Sequence, residues 1–144
     1  MTPDVNIMVA ASRQDHPHHE PARIWLEDAL LKSSDGYSLA ILPMVASGFL
    51  RLVTHPRVFI EPTPLDAALG FLRAVMASPG VVLPALGNEW HEFERLCAER
   101  NLSGNAIPDA WIAAAAKHHH LHLVTFDKGF RKLLKASMVT VLKA

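Results

Sequence analysis

The chain has 144 residues, the length of one ordinary domain, and is large enough to bury a core without covalent staples. Half of its residues are hydrophobic, 19% are charged and the formal net charge is zero, so the composition excludes a disordered chain and a general nucleic-acid coat. A single cysteine, Cys97, excludes an internal disulfide framework and a cysteine-rich zinc site, and it reads as a small core residue in a reducing compartment.

Residues 4–11 are apolar enough for a strand or a short helix, and periodicity alone does not decide between them. Asp15-His16-Pro17-His18-His19-Glu20 reads as a polar loop leading into a helix, on which Ala22, Trp25, Leu26, Ala29 and Leu30 share one face. Ser34-Asp35-Gly36 ends that helix, and 38–42 is a short buried strand stopped by Pro43. A helix over 44–53 terminates at Thr54-His55-Pro56, and a second over 64–77 has Thr63 as its cap and Pro64 as its first residue. Residues 80–83 form a strand. Residues 88–99 form a helix with Trp90, Phe93, Leu96 and Cys97 on its apolar side. A helix over 107–119, a strand over 121–125, a short helix over 128–134 and a last strand over 139–142 complete the chain. Strands alternating with helices predict an α/β fold with a mostly parallel sheet covered on both faces. No repeat or linker marks a domain boundary, so residues 1–144 read as one domain.

The N-terminus lacks the basic region of a signal peptide, and Pro43, Ser47, Gly48 and Arg51 interrupt the longest apolar stretches. The expected protein is soluble, cytoplasmic and without a membrane span.

Asp109 opens the alanine-rich helix, and Asp127 stands just past the strand that follows it. Taken singly, each reads as an ordinary helix cap. Together they lie beyond the carboxyl edge of an open α/β sheet, where ligands bind, and Asp4 can reach the same edge. Three carboxylates in one crevice repel one another and call for a cation of the Mg²⁺ or Mn²⁺ type. Any nucleic-acid contact must be local: Arg51 with Arg57, or Lys128, Arg131, Lys132 and Lys135.

Asp4-Val5-Asn6, Gly48-Phe49-Leu50-Arg51 with Thr54-His55-Pro56, Pro108-Asp109-Ala110 with Ala113-Ala114, and Thr125-Phe126-Asp127 with Phe130 together resemble a PIN domain. More narrowly, they resemble the VapC-type ribonuclease toxins of bacterial toxin–antitoxin pairs. The resemblance spans nearly the whole chain. It implies a three-layer α/β/α fold, with Asp4 at the end of a very short first strand. It also implies an Mg²⁺- or Mn²⁺-dependent endoribonuclease, a VapB-type antitoxin as partner and a homodimer. Asp4, Asp109 and Asp127 match the family's acids as catalytic residues and metal ligands. A divalent ion there polarises an RNA phosphate and makes bound water more acidic. A further family acid, a glutamate in the helix after the second strand, is replaced by Ser47, which leaves the pocket one carboxylate short. Asn6, Ser47 and Thr125 are candidates for neutral oxygens or supporting hydrogen bonds. Asp15 and His16 are candidates for contact with substrate or metal, and Arg51 for an RNA phosphate or a carboxylate.

Two other readings compete. The missing glutamate admits a PIN-fold binding module with impaired nuclease activity. The clusters His16, His18, His19 with Glu20, and His118, His119, His120 with His122, admit a transition-metal-binding protein, since imidazole prefers zinc, nickel or copper. For the second cluster a solvated helix end is favoured. Trp25, Trp90 and Trp111 read as core or interface residues rather than base-stacking platforms.

Overall fold

The structure is a computed structural model describing residues 1–144. Its order is β1 (Thr2–Pro3), α1 (Val5–Ser12), α2 (His19–Ser34), β2 (Leu39–Ala40), α3 (Pro43–Val53), α4 (Leu65–Ala77), β3 (Val81–Val82), α5 (Trp90–Arg100), α6 (Ala106–His118), β4 (Leu123–Thr125) and β5 (Val139–Val141). Two 3-10 helices, Lys128–Lys132 and Ala136–Met138, connect β4 to β5.

All strand pairs are parallel: β1 with β4, β4 with β5, and β2 with β3. The Ala40 N–H donates to the Met1 carbonyl (2.9 Å), and the Thr2 hydroxyl donates to the Ala40 carbonyl (2.8 Å), setting the two ladders side by side. The strand order β3-β2-β1-β4-β5 therefore reverses direction between β1 and β4. Helices on both faces complete a three-layer α/β/α fold. No helix is long and apolar enough to cross a membrane.

The ambiguity over residues 4–11 resolves as two strand residues followed by a helix. Five consecutive residues of α1, Ile7 to Ala11, are buried, because α1 is packed against α2, α3 and β4 at once. A helix enclosed on all sides has no polar face to give it a 3.6-residue signature. Gly48 lets α3 approach α1 closely, since a Cβ there would stand 3.0 Å from Val5 Cγ2. That approach brings the Ser47–Arg51 turn of α3 beside the residue next to Asp4. On the other side, Ala110 and Ile112 to Ala116 are buried along α6, which packs on α5. Pro43 stops β2 and is itself the first residue of α3, where its missing N–H leaves no intrahelical bond unmade.

Two local expectations are corrected. Thr63 does not cap α4; Pro64 holds the cap position without a side-chain bond, and the Thr63 hydroxyl accepts from the Arg13 guanidinium instead (3.0 Å). In α5 only Leu96 is buried; Trp90 is 57% exposed and stacks on Phe93, because a single neighbouring helix covers a narrow stripe.

Candidate active site

Asp4 ends β1 and caps α1, its Oδ1 accepting from the Val5 N–H (2.7 Å). Its other oxygen accepts from the fully buried hydroxyl of Thr125, the last residue of β4 (2.7 Å). The same hydroxyl oxygen accepts from Asn6 Nδ2 (3.2 Å) and from the Asp127 N–H (2.9 Å), while Asn6 Oδ1 accepts from the Phe126 N–H (3.2 Å). Thr125 thus ties the ends of β1 and β4 together across the reversal point. Asp127 leaves β4 and caps the following 3-10 helix, its Oδ1 accepting from the Gly129 N–H (2.7 Å). Asp109, in the first turn of α6, makes no side-chain hydrogen bond or ion pair, and the cap position of that helix belongs to Asn105. Capping accounts for part of Asp4 and Asp127. It accounts for none of Asp109.

The three acids line one cleft of about 790 Å³ together with Asn6, Ser47 and Arg51. Burial raises the Asp4 carboxyl above the ordinary carboxylate range, against its hydrogen bonds from Thr125 and Val5, and the Asp127 charge adds to the rise. Asp109 is pushed up to about 6, first by burial and then by the charges of Asp4 and Asp127. Like charges therefore sense one another across the cleft with no basic side chain paired to them. Arg51 lines the cleft but forms no ion pair.

These donors fit a hard divalent cation. The acidic lining consists of three carboxylates and no histidine or cysteine, and Ser47, where the family resemblance implies a glutamate, lines the same cleft. No group of three or more His, Cys, Asp or Glu side chains stands close enough together to hold a metal ion by itself, and this applies to the three acids as well as to the histidines. An open arrangement of acids suits Mg²⁺, which takes one or two carboxylates and keeps several waters. The histidines need the opposite, because zinc-type sites take three or four direct protein ligands, and neither cluster gathers them. His16 Nδ1 instead accepts from the His18 N–H (3.0 Å), and His119 stands edge-on to His118.

Asp15 and His16 do not line the cleft. Asp15 is engaged by Arg13 at 2.7 Å, and His16 packs against His18. Conversely, of the two readings of Trp111, core or interface, the core reading needs correction, because it is 39% exposed and lines the cleft with Phe93. The Trp111 indole N–H donates to Glu89 Oε1 (3.0 Å), whose carboxylate also accepts from the Gly87 N–H (2.7 Å). Glu89 is 1% exposed. Its burial depends on a residue 22 positions away, so no local pattern announced it.

Replacing Thr125 by valine keeps the shape but leaves Asp4 Oδ2 and the Asp127 N–H without their shared partner. We expect a loss of about 2 kcal/mol in chemical denaturation and at least a tenfold weaker binding of Mn²⁺ at the cleft. Unchanged values for both would show that the hydroxyl does not organise the acids.

A family profile described as "PIN domain" matches residues 1–135. The chain belongs to the PIN-domain family, in its VapC branch. It is 40% identical over 131 residues to Ribonuclease VapC25 of Mycobacterium tuberculosis, covering 90% of this chain and 89% of that protein. It is 34% identical over 130 residues to VapC ribonuclease Mb2897 of Mycobacterium bovis, covering 90% and 86%. The fold is similar to that in the crystal structure of VapBC2 from Rickettsia felis bound to a DNA fragment from their promoter. There the TM-score is 0.65 at 15% identity, with 96% of each chain covered. The expected α/β/α PIN fold is thereby established for this VapC-branch chain.

Proposed function

We propose that this VapC-branch protein is an Mg²⁺- or Mn²⁺-dependent endoribonuclease, the toxin of a VapBC-type pair. The observation that carries the reading is the convergence of Asp4, Asp109 and Asp127 on one cleft, beside β1 and β4, where the strand order reverses. VapC relatives named as ribonucleases support the reaction type, and the VapBC2 complex supports an antitoxin as partner.

Asp4, Asp109 and Asp127 would hold the cation. When bound, it supplies charge stabilisation at the phosphate and lowers the pKa of water. The chain's own residues supply orientation and charge. Asp4 is fixed by Thr125 and Val5, and Asp127 by Gly129, so two carboxylates meet a ligand already oriented. Asp109, free of hydrogen bonds, is the carboxylate able to adjust its position to the ligand. Arg51, with no carboxylate partner, is placed to receive a phosphate of the RNA strand. Trp111 and Phe93 give the cleft an aromatic wall suited to nucleobases.

Titrating Mn²⁺ into metal-free protein tests the site apart from catalysis. Asp4→Asn and Asp127→Asn should each weaken binding by roughly tenfold or more, the scale of one lost charge-assisted contact. Equal affinity in wild type and both variants would remove these acids from the metal site. With Ser47 in the cleft, one tight equivalent is expected rather than two.

A further inference from the structure

Residues 128–144 contain Lys128, Arg131, Lys132, Lys135 and Lys143 and no acid, so five of the 14 basic residues occupy a segment without any of the 14 acidic ones. None of the five enters an ion pair, whereas Arg13, Arg23, Lys32, Arg95 and Lys117 all do. Three of them, Lys128, Arg131 and Lys143, line a second pocket of about 390 Å³ with His18 and Phe126. The His18 and Phe126 rings lie 4.9 Å apart at 33°. His18 also holds a buried ring nitrogen, Nδ1, with no hydrogen-bond partner.

This pocket shares its backbone with the acidic cleft. Phe126 and Lys128 line the pocket, and Asp127 between them lines the cleft. The Phe126 N–H is bonded to Asn6, another cleft residue, so the two sites are joined through one short, tied segment. An acidic cleft repels a polyanion, and a strand crossing it needs compensating positive charge nearby. Unpaired cations beside an aromatic wall form the composition that tracks a single strand's phosphates while stacking its bases.

We propose that the pocket formed by His18, Phe126, Lys128, Arg131 and Lys143 is a second RNA subsite. It holds a nucleotide of the single strand displaced from the scissile bond, with its phosphates on the cations and its base against the aromatic wall. The proposal rests on the nuclease reading above and adds the path that the strand takes away from the acids.

The test measures binding of a short fluorescein-labelled single-stranded RNA of mixed sequence by anisotropy, in an Asp109→Asn chain that does not cut it. Arg131→Gln with Lys143→Gln should weaken binding by roughly tenfold and lower the slope of log affinity against log salt by about one. Phe126→Leu, which leaves the charge untouched, should weaken binding about fivefold or more through lost stacking. Arg73→Gln with Arg100→Gln removes the same net charge from α4 and α5 and serves as the comparison. Overturning results are a pocket variant that weakens binding no more than this comparison, or Phe126→Leu binding as tightly as its parent. With RNA binding by the parent and cleavage by the wild type intact, either result removes the subsite alone and leaves the basic pocket to an acidic protein partner. If the parent binds no RNA and the wild type cuts none, the nuclease reading fails together with the subsite.

Discussion

Asp109→Asn is expected to lower RNA cleavage by at least about a hundredfold while making the metal-free protein more stable, not less. The first effect follows from removing the carboxylate best able to adjust to a cation, in a site where electrostatic stabilisation is usually the largest contribution. The second follows from the site's own electrostatics. Asp109 is half-buried, its carboxyl makes no hydrogen bond, and the charges of Asp4 and Asp127 oppose its ionisation. Its pKa in the folded chain, about 6, lies above its ordinary value of 3.8, so the folded state binds the proton more tightly. The resulting stabilisation is fully present below 3.8 and is lost as pH rises through about 6. At neutral pH the ionised carboxylate is therefore a burden on the metal-free fold. Because the group is partly solvated, the effect is on the order of 1 kcal/mol rather than the full value of the shift. Thermal melts in a chelator should show the wild type gaining stability between pH 7 and pH 4.5 relative to Asp109→Asn, with the variant melting higher at pH 7. A variant that is inactive because it is misfolded would melt lower.

Arg13→Met should give the largest loss of stability among single substitutions outside the apolar core. The Arg13 side chain is 9% exposed and donates from all three of its guanidinium nitrogens. It donates to both Asp15 oxygens, to Thr63 Oγ1 (3.0 Å) and to the Glu61 carbonyl (2.9 Å), and it lies 3.8 Å from the Phe59 ring centre. These bonds fasten the end of α1 and the following loop to the segment that leads into α4. Methionine restores part of the volume but none of the donors, leaving the Glu61 carbonyl and the Thr63 hydroxyl without their partner. A loss of about 3 kcal/mol is expected, equivalent to roughly 10 °C in melting temperature for a chain of this size. Asp15→Asn should change stability little, because Asp15 is largely exposed and water replaces its partner. Equal losses in the two variants would mean that the ion pair, rather than the buried donors, holds the loop.

Arg13 also shows where the sequence stopped being informative. Asp109 and Asp127 were legible because one helix and one strand separate them, and parallel topology alone returns the second acid to the edge where the first begins. Asp4 was placed only within reach of that edge, and its position at the end of a first strand came from the family resemblance, since a two-residue strand followed by a largely buried helix carries no periodic signal. Thr125 was found as a supporting residue, although its three bonds became visible only with β1 beside β4. The pairings of Arg13 with Glu61 and Thr63, and of Trp111 with Glu89, lie beyond local patterns, because each joins residues 22 or more positions apart. They explain two misplaced assignments. Thr63 looked like a cap because nothing in its neighbourhood revealed a guanidinium competing for its hydroxyl. The core half of the core-or-interface reading of Trp111 failed because the alanines that follow it on α6 are buried, while the indole lines the cleft and is anchored by a buried carboxylate. Asp15 and His16, read as possible contacts to substrate or metal, lie outside the cleft lining, where Arg13 and His18 engage them.

Asp4, Asp109 and Asp127 as the metal-dependent centre of a ribonuclease are tested most directly by incubating purified wild type and Asp109→Asn with total RNA, in Mg²⁺ or Mn²⁺ and in excess chelator, and mapping the new RNA ends by sequencing. Discrete new ends are predicted for the wild type with metal, none in chelator, and none for Asp109→Asn under any condition. Ends that persist in chelator or with the variant, or wild-type protein that cuts no RNA with either metal, would contradict that role.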